Sequence, residues 1–339
     1  MNKLLLTAAL CFPVAARAKI EYVLHITCDG LRGDALKAAM DLPANAAAYP
    51  GFRQLMAQGA ATFQARCDFD YSETIPNHTG VVTGRPVSEP AGFTPAAFTA
   101  DPATDVITAA AHGLNEGDNV LLATTGTLPG GGHTVSWNST AWIEQGTKVV
   151  DGYLKSILDA VTGSAVYRGK VAIIVTADHG GGTATGTGNS HADASAIPNI
   201  NIPLFLWGPG IPGNIEAYAL FKNRTDPGTA GRPNSAPGTA QPLRNTDTAN
   251  IAMTFLGLPA VTGSYFRPEL QDALTITQAG GGIVLTWPLY LTGHILHSTP
   301  SPADEWMPAK DVPVETSGEF QVTIPLQRAR RFFGLKAPQ

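Results

Sequence analysis

Apolar positions along the chain fall into short blocks with two different periods. Tyr22-Val23-Leu24-His25-Ile26-Thr27 is almost continuously apolar and stops at Asp29-Gly30, the pattern of a buried strand. Val171-Ala172-Ile173-Ile174-Val175-Thr176 repeats that pattern and stops at Asp178-His179-Gly180, and Ile202 to Trp207 forms a third such run. Helical spacing lies between them. Phe52, Leu55 and Met56 predict a helix ending at Gly59. Trp142, Val149, Tyr153, Leu154, Ile157 and Val161 predict a longer one, weakened by Gly146, and Thr246 to Leu256 predicts another. Strands separated by helices at this spacing predict an α/β domain with a mainly parallel sheet.

Two stretches break the rhythm. Residues 98–132 alternate over short distances (Val106-Ile107-Thr108, then Asn119-Val120-Leu121-Leu122) between Gly-rich turns, which predicts a small inserted β module. From Leu274 onward Leu274/Ile276, Ile283/Leu285/Trp287 and Val322/Ile324 alternate, predicting a β-sandwich-like tail with Trp287 and Phe332-Phe333 in its core. Thr225 to Pro242, rich in Pro, Gly, Ser and Thr, reads as a surface loop.

Composition and charge narrow the function. A chain of 339 residues that is 44% hydrophobic can bury a sizeable core. Met1-Asn2-Lys3, the apolar Leu4 to Ala16 and the small-x-small Ala16-Arg17-Ala18 have the pattern of a cleavable signal peptide over 1–18, which predicts a secreted or periplasmic protein. No stretch is long enough to predict a membrane span. Losing Lys3 and Arg17 with the leader takes the formal charge from −5 to −7. That acidic balance argues against nucleic acid polymers as partners and leaves any anionic substrate to be attracted locally. Cys28 and Cys67 would remain, either as one disulfide or as two separate thiols.

The candidate chemistry gathers at the strand ends. Asp29 and Asp178 each follow an apolar strand, where open α/β sheets place their ligands, and His179 and His191 lie next to and shortly after the second. Either Asp alone reads equally well as a cap of the following turn. Two acids with His-bearing turns suit a zinc-like ion. Thr74-Ile75-Pro76-Asn77-His78 opens a helix running towards Thr83, with Pro76 as its first residue and Thr74 at or just before the N-cap. A helix N-terminus attracts phosphate, and a Thr hydroxyl there is either a cap or a nucleophile. His25 reads as a core histidine and His78 as a brace of the Thr74 helix; His294 and His297 belong to the tail. Asn77-His78-Thr79, formally a glycosylation sequon, overlaps that helix and reads as chance.

"CDG" after a strand, "TIPNH" opening a helix, "TADHGG" after a later strand and the downstream His191 together resemble the alkaline phosphatase superfamily, nearest to type I phosphodiesterase/nucleotide pyrophosphatase proteins. The resemblance spans Tyr22 to Pro86 and Ser136 to Pro268. It implies an alkaline-phosphatase-like hydrolase domain over 19–270, with 98–132 in the place of the family's cap and a separate tail over 274–339. It also implies hydrolysis of a small phosphate ester through a phospho-threonine on Thr74, with two metal ions, usually zinc. By the same resemblance Asp29, Thr74, Asp178 and His179 hold one ion, and His191 and His133 hold the other. Position 129, where the family has an Asp, is Pro129, which leaves the second ion a ligand short. Two alternatives follow: an impaired enzyme fold serving as a secreted binding or surface module, or a sulfatase. The second is disfavoured because sulfatases carry C/S-x-P-x-R where this chain has TIPNH.

Overall fold

A computed structural model describes residues 20–68, 71–86, 98–101, 106–109, 136–182, 188–228, 241–265, 267–271, 274–291, 293–316, 319–325 and 330–336. The predicted leader, His133, Pro129 and most of the 98–132 insert lie outside them. In chain order the elements are β1 (Tyr22–Thr27), α1 (Gly33–Asp41), α2 (Pro50–Gln58), β2 (Gly59–Arg66), α3 (Thr74–Thr83), β3 (Phe98–Asp101), β4 (Val106–Ala109) and α4 (Thr147–Gly163). They continue with β5 (Val171–Thr176), α5 (Ile197–Ile200), β6 (Asn201–Trp207), β7 (Ile215–Glu216), α6 (Thr248–Phe255) and seven strands of the tail: β8 (Thr275–Ala279), β9 (Gly282–Pro288), β10 (Ile295–Thr299), β11 (Met307–Pro308), β12 (Val314–Thr316), β13 (Glu319–Pro325) and β14 (Phe332–Lys336).

The central sheet has the order β1-β5-β6-β2-β7, flanked by helices. It is mixed rather than mainly parallel: β1/β5 and β2/β7 run parallel, whereas β6 is antiparallel to both β5 and β2. Residues 177–200 explain this, because they contain only the four-residue α5. A parallel return needs a full crossover; a chain without one turns back beside the strand it left. The tail forms a four-stranded antiparallel sheet (β12-β13-β9-β8) and a three-stranded one (β11-β10-β14), and β3 and β4 form a separate antiparallel hairpin.

Strand β2 (GAATFQAR) escapes a search for Val- and Ile-rich runs, yet it is buried along nearly its whole length. Its small side chains let the sheet accept neighbours on both faces. The long helix also differs from its apolar pattern. Val149 and Tyr153 are 57% and 68% exposed, and the buried face runs through Thr147, Asp151, Leu154, Leu158 and Val161. Asp151 sets that phase. Its Oδ1 accepts from Phe52 N at 2.7 Å and its Oδ2 from Gly51 N at 3.2 Å, capping α2, whose own N-cap Tyr49 offers no side-chain bond. Burial raises the Asp151 pKa despite those two bonds. Asp151→Ala strands both N–H groups, so urea unfolding should show a loss of about 1–3 kcal/mol. Asp151→Asn, which still accepts from one of them, should lose less.

In the tail Trp287 is buried as expected, against Phe320 at 5.7 Å. Phe332, however, is 38% exposed, and β8 is exposed throughout because it is an edge strand. Cys28 and Cys67 are separate thiols. Burial, then the neighbouring Asp178 carboxylate, pushes the Cys28 thiol up to about 12, so it stays protonated.

Candidate active site

Strand register brings the two acids together. β1 and β5 pair in parallel with Thr27 opposite Thr176, and Cys28 N donates to Thr176 O at 2.9 Å. Two residues beyond that pair on each strand stand Asp29 and Asp178. Equal overhang from adjacent parallel strands delivers both carboxylates to the same crevice. Asp29 is exposed and Asp178 fully buried.

The backbone around them is fixed by glycines and one tryptophan. Gly30 has φ +66°, and a Cβ on it would meet Trp137 Nε1 at 2.7 Å. Trp137 Nε1 donates to Gly30 O at 3.0 Å, and the indole lies so close over Gly181 that a Cβ there would come within 2.2 Å of the ring. These contacts account for the Gly in "CDG" and for the second Gly of "DHGG".

Asp178 uses one oxygen structurally. Its Oδ1 accepts from Gly30 N at 3.0 Å and from His179 N at 2.8 Å. Its Oδ2, equally buried, accepts no hydrogen bond. Two imidazole nitrogens face it instead, His179 Nε2 at 3.2 Å and His78 Nε2 at 3.4 Å. Burial first, and the charge of Asp29 second, push the Asp178 pKa up to about 7. A buried carboxylate oxygen that accepts no hydrogen bond, beside a second carboxylate, is the environment a cation relieves. Single ligand atoms of Asp29, His78 and Asp178 lie within 4.8 Å of one another. This donor set fits a divalent metal: three oxygen and nitrogen ligands are what a catalytic zinc usually takes from the protein.

Thr74 is the first residue of α3, with Glu73 as the N-cap and no side-chain capping bond. The helix therefore begins two residues before Pro76, and the Thr74 hydroxyl is not a cap. Its Oγ1 lies 3.0 Å from His179 Nε2. His179 Nδ1 is 2.6 Å from Gly180 O, which can only accept, so Nδ1 carries the proton and Nε2 keeps its lone pair. His191 is held in the same tautomer, with Nδ1 2.5 Å from Ser72 O. The His179 and His191 rings stack at 3.8 Å and 17°, and Trp137 meets the His191 ring edge-on at 5.5 Å.

The structure thus brings Asp29, Thr74, Asp178, His179 and His191 into one neighbourhood, while His133 lies outside the described residues. Sequence reasoning passed over His78 and Asn245. His78 stands four residues after Thr74, which puts both on one face of α3 and turns the expected brace towards the acids. Asn245 Nδ2 donates to Asn77 Oδ1 at 2.9 Å and to Asp178 O at 2.7 Å, tying α3 to the end of β5. The only hint in the sequence was the polar run Arg244-Asn245-Thr246-Asp247-Thr248 leading into an apolar helix. Every residue of that run is buried. Asn77 is also fully buried and accepts from Asp68 N at 2.7 Å, so its sequon is not a glycan site in the folded chain.

No protein-family model matches the sequence, and no curated protein matches it. Among solved structures, the chain is similar to an inactive Thr-to-Ala variant of murine ectonucleotide pyrophosphatase/phosphodiesterase 5 in complex with AMP. The identity is 14%, covering 71% of this chain and 96% of that one, with a TM-score of 0.46. It is also similar to a 2-O GAG sulfatase, at 13% identity over 83% of this chain and 80% of that one, with a TM-score of 0.45. A second structure of the murine phosphodiesterase gives 13% identity, 70% and 96% coverage, and a TM-score of 0.42. Overlaps of this size carry no inference about activity, substrate or site, which rest on the residues of this chain.

Proposed function

We propose that this protein is a metal-dependent hydrolase of phosphate esters, with Thr74 as its nucleophile. The observation that carries this reading is the Thr74 Oγ1 to His179 Nε2 contact of 3.0 Å beside a pair of strand-end carboxylates. His179 Nδ1 is committed to Gly180 O, so its Nε2 is placed to take the hydroxyl proton as Oγ1 attacks phosphorus. The attack forms an Oγ–P bond and breaks the P–O bond to the leaving group; water then hydrolyses the phospho-threonine. The N-terminal end of α3 presents unpaired backbone N–H groups and its positive dipole end to the phosphoryl oxygens. Asp29 and Asp178 are the carboxylates that would hold a divalent cation, zinc by resemblance. Such an ion supplies charge neutralisation for the phosphoryl oxygens and favours the threonine alkoxide. Trp137 lies over Gly181 and beside both imidazoles, excluding water from that side.

An impaired enzyme fold kept as a binding module is the second reading, and Pro129 at the place of an expected ligand favours it. Full-length protein loaded with zinc or manganese and offered bis-aryl phosphate and aryl sulfate separates the readings. The proposal expects metal-dependent phosphodiester cleavage in clear excess over sulfate cleavage. Preference for the sulfate indicates a sulfatase, and no turnover of either, with metal bound, indicates the binding module.

A further inference from the structure

We propose that His78 is a metal ligand, the imidazole that completes a three-residue site with Asp29 and Asp178. Each ligand comes from a different element: the turn after β1, the first full turn of α3, and the turn after β5.

Three observations carry it. Ligand atoms of the three residues lie within 4.8 Å of one another, close enough for one ion to reach all three after small side-chain movements. Asp178 Oδ2 is fully buried, accepts no hydrogen bond, and has His78 Nε2 at 3.4 Å, beyond ordinary hydrogen-bond length. The neighbouring imidazole, His179, has its Nε2 lone pair directed to the Thr74 hydroxyl at 3.0 Å and its Nδ1 on Gly180 O. The two imidazoles therefore divide the work: His179 serves the nucleophile, and His78 joins the carboxylates.

Local geometry makes His78 suited to this. Its side chain is partly exposed, so an ion arriving from solvent meets His78 and the exposed Asp29 before the buried Asp178. Its helix is rigidly placed, because Asn77 next to it is buried and bonded to Asp68 N, Glu73 O and Asn245 Nδ2. Fixed backbone on both sides of the crevice keeps the donors preorganised. The sequence pattern alone suggests a brace for His78, and a brace differs from a ligand in a measurable way. A glutamine can still donate a hydrogen bond to Asp178, but it is a poor zinc or cobalt ligand.

The inference shares its carboxylates with the proposed hydrolase site but does not depend on turnover. The test is titration of full-length parent, His78→Ala and His78→Gln with Zn²⁺ by calorimetry, together with the visible spectrum of the Co²⁺ forms. A ligand role predicts at least a tenfold loss of Zn²⁺ affinity in both variants and a changed Co²⁺ d–d envelope. Metal-free melting of His78→Gln should stay near that of the parent. Parent-like affinity and an unchanged cobalt spectrum in His78→Gln overturn the inference and leave His78 a brace. The two readings fail separately. Phosphodiester turnover with parent-like metal binding in His78→Gln defeats only the ligand role. Metal binding that requires His78, without turnover by the parent, defeats only the hydrolase reading.

Discussion

Thr74→Ala is expected to lower turnover of an aryl phosphodiester by a factor on the order of 10³ or more, because covalent catalysis disappears with the hydroxyl. The fold should survive the change. Thr74 makes no capping bond, α3 begins from Glu73, and the helix is held by the fully bonded Asn77. Thr74→Ser keeps a hydroxyl within reach of His179 Nε2 and should retain measurable activity, with a lower rate because a serine side chain is less restricted at χ1 than a β-branched threonine. The pair of variants separates nucleophile from bystander: a Thr74→Ala protein as fast as the parent leaves Thr74 without a chemical role. Binding of a non-hydrolysable phosphate analogue should fall far less than turnover, since the backbone N–H groups at the start of α3 remain.

Asp178→Asn is the second large effect. The asparagine Oδ1 can still accept from Gly30 N and His179 N, so the turn that links β5 to the site should keep its shape. The anionic Oδ2 is replaced by a neutral N–H group that cannot ligate a metal. Removing the support around a metal ligand already costs about 10–100-fold in affinity, and loss of the ligand itself should exceed that. Zinc affinity should therefore drop more than 100-fold, and phosphodiester turnover should be lost with it. Parent-like zinc binding by Asp178→Asn, read by calorimetry, would show that the ion is held elsewhere. Metal-free Asp178→Asn should be no less stable than the parent, because a buried carboxylate facing Asp29 is an unfavourable group until a cation arrives.

Much of this arrangement was legible in the sequence, and the reasons differ from element to element. β1, β5 and β6 announce themselves because strands buried on both faces are apolar at successive positions. Their ends locate Asp29 and Asp178, and adjacency of β1 and β5 does the rest. β2 was not legible: Gly59-Ala60-Ala61-Thr62 carries too little bulk to stand out, although its smallness is what the packing needs. The direction of β6 was equally hidden, since direction depends on what residues 177–200 do between the strands rather than on the strand's own pattern. In α4 the apolar positions Val149 and Tyr153 suggested a buried face that the polar Asp151 overrides, because two unpaired N–H groups of α2 gain more from a carboxylate than the core gains from those side chains.

At the site, each residue named for its type at a strand end was placed correctly among the described residues, whereas residues acting through tertiary bonds were missed. Asn245 is one of three polar residues in a row whose burial no local pattern reveals. His78 was visible as a helical neighbour of Thr74, but its second neighbour, Asp178, is a hundred residues away in sequence and close only in space.

The central claim is that Thr74 is the nucleophile. Acid-quenching metal-loaded protein during turnover of a bis-aryl phosphate, then mapping the proteolysed chain by mass spectrometry, tests it most directly. The account predicts a phosphoryl adduct on Thr74 in the parent and none in Thr74→Ala. Sustained turnover with an unmodified Thr74, or an adduct on any other residue, would contradict it.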